Sequence, residues 1–273
     1  MGDPMPEPDP SELLEVAVAV ASRAADLAHT QRLAGVGKVG TKSTDTDLVT
    51  DADRNVERLI GELLRARRPD DRILGEEFGP GGGGATGRVR WVVDPIDGTV
   101  NYVYGIPYYA VSIAAEVDGI VVAGVVRSVE TGEEWTAVRG QGAWRAGVRL
   151  AGSSVSRLDQ ALVATGFAYD AGRRVHQAGV LANMIAQIRD IRRFGAAALD
   201  LCAAAEGRVD AYYEKGLGAW DHAAGGLVAH EAGLRVSGLR GAPPGPDLVL
   251  AAPTGVYQQL HDLLVTLDAD GGL

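Results

Sequence analysis

The stretch Trp91-Val92-Val93-Asp94-Pro95-Ile96-Asp97-Gly98-Thr99-Val100-Asn101 decides how the rest of the chain is read. Its start, Trp91-Val92-Val93, is continuously apolar rather than alternating, which predicts a strand buried on both faces. The strand is expected to stop at Asp94, because Pro95 cannot donate to a sheet ladder. Asp97 follows three residues later and leads into Gly98-Thr99, a small pair that lets backbone N–H groups approach an anion at a helix start. Two acids therefore stand beside an anion cradle. Carboxylates and phosphate repel unless a divalent cation lies between them, so the juxtaposition points to metal-assisted chemistry on a phosphate.

Further acids fall at the ends of predicted elements on either side. A helix is expected from Asp51, with Val56, Leu59, Ile60, Leu63 and Leu64 on one face and Asp53 in its first turn. Glu76 follows the brief strand Ile73-Leu74, and Asp221 opens a predicted helix over Asp221–Ala232. Taken singly, each acid has an ordinary explanation: Asp53, Asp97 and Asp221 as helix-end or capping groups, Glu76 as a solvated turn residue. Together they need several coincidences. Loop-side ends of strands and helix starts are where α/β proteins build sites, so Asp53, Glu76, Asp94, Asp97 and Asp221 are expected to converge. Unpaired, that much negative charge would drive carboxyl pKa values up, whereas two or three hard cations would neutralise it. Oxygen-only donors select Mg²⁺, with Mn²⁺ as a substitute. Zinc spacing of Cys and His is absent, Ser153-Ser154 and Ser237 lack a nucleophile elbow, and the glycine-rich run 80–87 matches neither phosphate-loop nor dinucleotide spacing.

The 273 residues carry a net charge of −10, a field that opposes nucleic acid and anionic membrane, so direct nucleic-acid binding is not expected. An anionic substrate then needs local positive charge from metal or lysine. The single cysteine, Cys202, rules out an internal disulfide and reads as a buried thiol in a helical stretch. No apolar run approaches the roughly eighteen residues of a membrane span, and the acidic, Pro-rich start lacks a signal-peptide pattern; the cytoplasm is the default compartment. Residues 1–10 read as a disordered tail, with Ser11 placed to cap a long helix. Residues 35–47 read as a mobile loop carrying Lys42, and 80–87 as a flexible loop. From Tyr108 to Leu150 short turns separate strands (Tyr108–Val117, Ile120–Ser128, Glu134–Val138, Ala143–Leu150), an antiparallel meander. Beyond 151 strands alternate with helices: Ala161–Thr165, Arg174–Gln187, Ile188–Arg192, Ala196–Ala205, Val209–Tyr213, Asp221–Ala232, Leu248–Ala251, Thr254–Leu267. Two subdomains, 11–150 and 151–273, follow from that change of texture.

These residues carry a resemblance. Asp47-Leu48-Val49-Thr50-Asp51-Ala52-Asp53 with Gly75-Glu76-Glu77, then Asp94-Pro95-Ile96-Asp97-Gly98-Thr99-Val100-Asn101-Tyr102, then Trp220-Asp221-His222-Ala223-Ala224-Gly225 running to Glu231-Ala232-Gly233, resemble in order the motifs of the inositol monophosphatase family, over roughly residues 11–267. The likeness is strongest to its bacterial SuhB-type members, within the lithium-sensitive, Mg²⁺-dependent phosphatases. It implies a layered α-β-α-β-α sandwich with an antiparallel-rich first sheet and a mixed second sheet, commonly a homodimer. It implies that Glu76, Asp94 and the Ile96 carbonyl hold one Mg²⁺, that Asp94, Asp97 and Asp221 hold a second, and that Glu76 helps place a third. Asp53 and Thr99 would orient the attacking water, and the N–H groups of Gly98 and Thr99 would bind the phosphate. Glu214 and the segment Gly195-Ala196-Ala197 would meet the hydroxyls of a phosphorylated polyol, and Lys42 matches the basic residue of the mobile loop. The reaction implied is hydrolysis of inositol 1-phosphate by direct water attack. The same chemistry on fructose 1,6-bisphosphate, histidinol phosphate or a phosphorylated adenosine nucleotide, and a non-catalytic role associated with transcription, stay open as alternatives.

Overall fold

A computed structural model describes residues 7–81 and 87–272. Two sheets separated by helices, with further helices on both outer faces, set the architecture. The expectation for a disordered tail falls mostly on residues 1–6, outside the described residues. The first helix starts earlier than expected: α1 spans Pro10–Ala34, capped by Asp9 rather than Ser11, whose own N–H donates to the Asp9 carboxylate at 2.8 Å. Pro10 suits the first helical position because that N–H has no helical acceptor.

Residues 35–47 are not all loop. β1 (Val39–Thr41) pairs antiparallel with β2 (Leu48–Thr50), a ribbon hidden in the sequence by its glycines and threonines. Next come α2 (Asp51–Arg67), β3 (Arg72–Gly75) and β4 (Gly79–Gly81), so the start of the glycine-rich run forms an edge strand on β3; residues 82–86 lie outside the described residues. β5 (Val89–Asp97) does not end at Asp94. It pairs with β6 (Ala110–Val117) up to Asp94↔Ser112, breaks register over Pro95-Ile96, and resumes at Asp97↔Ala110. Pro95 removes one ladder bond and leaves an irregularity instead of an end.

After α3 (Thr99–Tyr104) the meander proceeds through β6, β7 (Ile120–Ser128) and β8 (Glu134–Val138). The turn between β6 and β7 places Asp118 and Gly119 at φ 51° and 83°, the mirror-image turn that matches strand twist. The expected last strand divides at Ala146-Gly147 into β9 (Gly142–Arg145) and β10 (Val148–Arg149). The first sheet has the order β10-β9-β8-β7-β6-β5-β3-β4, antiparallel except for β3 against β5.

The second half holds β11 (Leu162–Thr165), α4 (Ala171–Met184), β12 (Asp190–Arg192), α5 (Ala197–Ala205), β13 (Ala211–Glu214), α6 (Ala219–Glu231), β14 (Arg235–Ser237), β15 (Val249–Ala252) and α7 (Thr254–Thr266). β14 had no signal beyond a short apolar residue between polar ones. The sheet order is β12-β11-β13-β15-β14, with β11 parallel to both its neighbours and the β13, β15 and β14 pairs antiparallel, hence mixed.

Three apolar clusters fill the layers. α1 and α2 cover one face of the first sheet through Leu13, Val20, Val56 and Ile60 against Trp91, Val93 and Ile113. α5 and α6 lie between the sheets, and α4 and α7 close the far face of the second. The inner helices fit there because they are small. A Cβ at Gly124 of β7 would sit 3.1 Å from the Cα of Ala224 on α6, and one at Gly225 would sit 3.0 Å from the Ala198 carbonyl on α5. The run Ala223-Ala224-Gly225 therefore seats α6 hard against β7 and α5, which fixes where Asp221 enters the site. The arrangement is the expected α-β-α-β-α sandwich. Among the described residues no helix is long and apolar enough to cross a membrane.

Candidate active site

Asp94 and Asp97 leave β5 side by side in space because the strand is irregular between them, and Asp221 arrives from the first turn of α6. One carboxylate oxygen from each of Asp94, Asp97 and Asp221 lies within 4.8 Å of the others. These acids are held by backbone donors: Asp94 Oδ1 accepts the Ile96 N–H at 3.1 Å, and Asp221 Oδ2 accepts the Gly218 N–H at 2.6 Å. Asp221 is thus a capping group of its own helix, which begins at Ala219 and not at Asp221, and a cavity acid as well. Asp97 caps no helix that it begins. Its two oxygens accept the Ala197 and Ala198 N–H groups, at 3.1 and 2.8 Å, at the open end of α5.

Burial makes this cluster electrostatically unfavourable on its own. Asp94 is 1% exposed; burial, then the charges of Glu76, Asp97 and Asp221, push its carboxyl well above the usual range. Burial likewise raises Asp221 well above its ordinary value, with Glu76 and Asp97 adding to it. The Asp97 carboxyl is pushed up to about 7, chiefly by burial, with the Ala198 N–H opposing. Clustered, desolvated, oxygen-only donors of this kind fit one or more hard divalent cations, which would remove the repulsion that raises them.

Glu76 lines the same cavity but turns to a different cation. It accepts from Lys42 Nζ at 2.8 Å, and Glu77 binds the same ammonium. Burial alone would depress the Lys42 pKa, yet Glu76 and Glu77 hold it above its ordinary value. Burial raises Glu76, and Lys42 opposes that rise. Lys42 is therefore an ion-paired member of the cavity wall, not a solvated loop residue.

Asp53 sits behind the wall. As the third residue of α2 it closes a capping box: Oδ2 accepts the Thr50 N–H at 2.8 Å and the Thr50 hydroxyl at 2.6 Å. Its other oxygen meets the Thr99 hydroxyl at 3.0 Å, and that hydroxyl also lies 3.1 Å from the Ile96 carbonyl. Asp53 is fully buried, and burial raises its pKa against the Thr50 bonds. The helix-end role read from the sequence is real, and the link to Thr99, 46 residues away, is added to it.

Gly98 adopts φ 89° and opens α3. A Cβ there would stand 3.1 Å from the Ala196 Cβ and from the Gly195 and Tyr108 carbonyls, so its bareness lets β5 meet the Gly195-Ala196 segment. Asn101 ties the same junction, donating from Nδ2 to the Tyr108 and Phe194 carbonyls, each at 2.8 Å. Ala196 is buried in that junction and Ala197 spends its N–H on Asp97, so of this segment only Gly195 and Ala197 reach the cavity. Glu214 reaches it from the end of β13, accepting from the Tyr212 hydroxyl at 2.7 Å, with its pKa raised by burial.

The cavity holding these groups is about 670 Å³. It is also lined by Tyr169, Arg173, Arg193 and Lys215, which the sequence did not single out, and by Trp220. Trp220 stood in a quoted motif; the others stand in segments with no pattern that marks a site.

Comparison with known proteins agrees with this geometry. The inositol monophosphatase family profile matches residues 9–268. The chain is similar to the inositol-1-monophosphatase of Mycobacterium leprae, at 47% identity over 94% of each chain. It is also similar to the Nus factor SuhB of Escherichia coli, at 37% identity over 84% of this chain and 86% of that one. The structure of Mycobacterium tuberculosis SuhB superposes with a TM-score of 0.82 at 41% identity, covering 97% of this chain and 100% of the other. The chain belongs to the inositol monophosphatase family. It is an enzyme of the phosphatase class that this family defines.

Proposed function

We propose that the protein is a Mg²⁺-dependent phosphomonoesterase that hydrolyses inositol 1-phosphate to inositol and phosphate by direct attack of water, without a phosphoenzyme. The observation that carries the reading is the meeting of buried Asp94 and Asp97 with half-buried Asp221 in one cluster beside Gly98 and Thr99. Glu76, Asp94, the Ile96 carbonyl, Asp97 and Asp221 would hold two or three Mg²⁺, or Mn²⁺ in their place. When bound, such cations offset phosphate charge and make water a better nucleophile.

The chain's own groups divide the remaining work. The N–H groups of Gly98 and Thr99 hold the phosphate at the start of α3. Thr99 Oγ1 sits between Asp53 and the Ile96 carbonyl, so its oxygen accepts from the attacking water while its proton is directed to Asp53. Asp53 can take that proton because burial has already raised its pKa. Glu76 completes this catalytic group. Glu214 accepts from hydroxyls of the polyol, with Gly195, Ala197 and Asp221 lining the same cavity. Lys42, on the cavity wall, is paired to Glu76 and Glu77 and holds these two acids together.

The names of the mycobacterial relatives support the inositol substrate, and the net charge of −10 weighs against direct nucleic-acid binding. A panel of phosphate esters assayed with Mg²⁺ tests the assignment, with fructose 1,6-bisphosphate, histidinol phosphate and a phosphorylated adenosine nucleotide beside inositol 1-phosphate. Inositol 1-phosphate no better than a generic ester would overturn it. The same reading includes inhibition by Li⁺ and a homodimer; complete Li⁺ insensitivity across a Mg²⁺ titration, or a monomeric mass by light scattering, would count against each.

A further inference from the structure

Glu57 is an acid outside the cavity whose two carboxylate oxygens both accept hydrogen bonds from one turn. It is 5% exposed on α2. Its Oε2 accepts the Glu77 N–H at 2.8 Å and its Oε1 accepts the Phe78 N–H at 3.0 Å. A buried carboxylate is costly unless hydrogen-bonded, and here the partners are the backbone of the turn that carries Glu76. The chain is shaped to allow this approach. A Cβ on Gly75 would fall 1.9 Å from Glu57 Oε1, and Gly75 does not adopt a left-handed φ, so the glycine answers to the carboxylate and not to the backbone.

Asp53 and Glu57 stand four residues apart on one helix face, a spacing at which like charges repel. Each instead grips a neighbouring element. Asp53 holds Thr50 and Thr99, and Glu57 holds the turn from Gly75 to Phe78. A single helix thus holds both the Thr99 hydroxyl and the turn that carries Glu76.

We propose that Glu57 is a positioning residue: by clamping the Glu77 and Phe78 amides to α2 it sets the direction of Glu76, and so governs how tightly the acid site holds a divalent cation. The proposal rests on reading the cavity as a cation site but not on which ester is hydrolysed. Outer-shell partners of metal ligands are worth roughly 10–100-fold in affinity or activity.

The test uses the full chain, made metal-free and titrated calorimetrically with Mn²⁺ alone, with no substrate present. Glu57→Gln keeps the volume but sets an NH₂ group against one of the two amides. It is expected to weaken Mn²⁺ binding roughly tenfold or more, to speed deuterium exchange at the Glu77 and Phe78 amides, and to shift the Mg²⁺ concentration for half-maximal phosphate release by the same factor. Gly75→Ala displaces the carboxylate from the other side while leaving Glu57 intact, and carries the same expectation should Glu57→Gln fail to fold. Ile60→Val, fully buried on the same helix, lowers stability without touching the turn and should leave Mn²⁺ binding unchanged. Mn²⁺ binding within threefold of wild type in the glutamine or alanine variant, or an equal loss in Ile60→Val, overturns the proposal. Failure of the wild-type chain to bind Mn²⁺ would overturn the cation reading itself, and the proposal with it.

Discussion

Replacing Thr99 with valine removes one hydroxyl while keeping a β-branched side chain of nearly the same volume. Asp53 Oδ1 then loses its partner, and the two Thr50 bonds on Oδ2 remain. Because Asp53 is fully buried, water cannot replace the lost donor. A hydrogen bond to a charged group contributes about 1.5–3 kcal/mol, and that is the expected loss of stability. Unfolding entropy of about 2.1 cal/mol/K per residue, over 273 residues, is roughly 0.6 kcal/mol/K, so the metal-free melting temperature should fall by roughly 3–5 °C. Turnover should fall much further. Losing a positioned proton acceptor relay typically costs about 10²–10⁴ in rate, whereas Thr99→Ser, which keeps the hydroxyl, should stay within about tenfold of wild type. The assay is phosphate release at saturating Mg²⁺ beside calorimetric melting in EDTA. A valine variant that loses the expected stability but keeps kcat within threefold of wild type would refute the relay.

Three further outcomes follow from the same geometry. Asp94→Asn should abolish Mg²⁺-dependent turnover yet raise the melting temperature of the metal-free protein, because it removes a buried charge facing Glu76, Asp97 and Asp221; a drop in metal-free stability with Mg²⁺-dependent turnover retained would contradict it. In EDTA, stability should decline as pH rises from about 4 to about 7: folded Asp97, near 7, still binds a proton that the unfolded carboxyl, near 3.9, has released, and that contribution is lost as pH passes the folded value. Saturating Mg²⁺ should flatten this slope, and melting curves across the range read it directly. Glu214→Gln should lower kcat/KM for inositol 1-phosphate by roughly tenfold or more while changing that for p-nitrophenyl phosphate little, since only the former has hydroxyls for the carboxylate to accept; equal losses on both esters would remove Glu214 from substrate recognition.

The sandwich and the meeting of Asp94, Asp97 and Asp221 were legible because they depend on local signals: a continuous apolar run before Asp94, helical periodicity after Asp51, and small residues after Asp221. What stayed hidden depends on distant partners. Nothing near Pro95 says that β5 will recover its ladder at Asp97, because the recovery comes from β6 across the sheet. The link from Asp53 to Thr99 and that from Asp97 to the amides of α5 join segments 46 and 100 residues apart. Glu57 reads as one more polar position on an amphipathic helix, and only the bare Cα of Gly75 marks it afterwards. Lys42 could not be told from a solvated lysine until Glu76 and Glu77 were seen around it. The ribbon of β1 and β2 escaped because Gly40 and the surrounding threonines carry no alternation strong enough to predict pairing.

The most direct measurement is phosphate release from inositol 1-phosphate by the wild-type chain after exhaustive treatment with EDTA, followed by stepwise return of Mg²⁺. The account predicts no turnover in the chelated protein and full recovery as Mg²⁺ refills the site of Asp94, Asp97 and Asp221. Turnover that survives chelation, or that Mg²⁺ fails to restore to a folded protein, would contradict it.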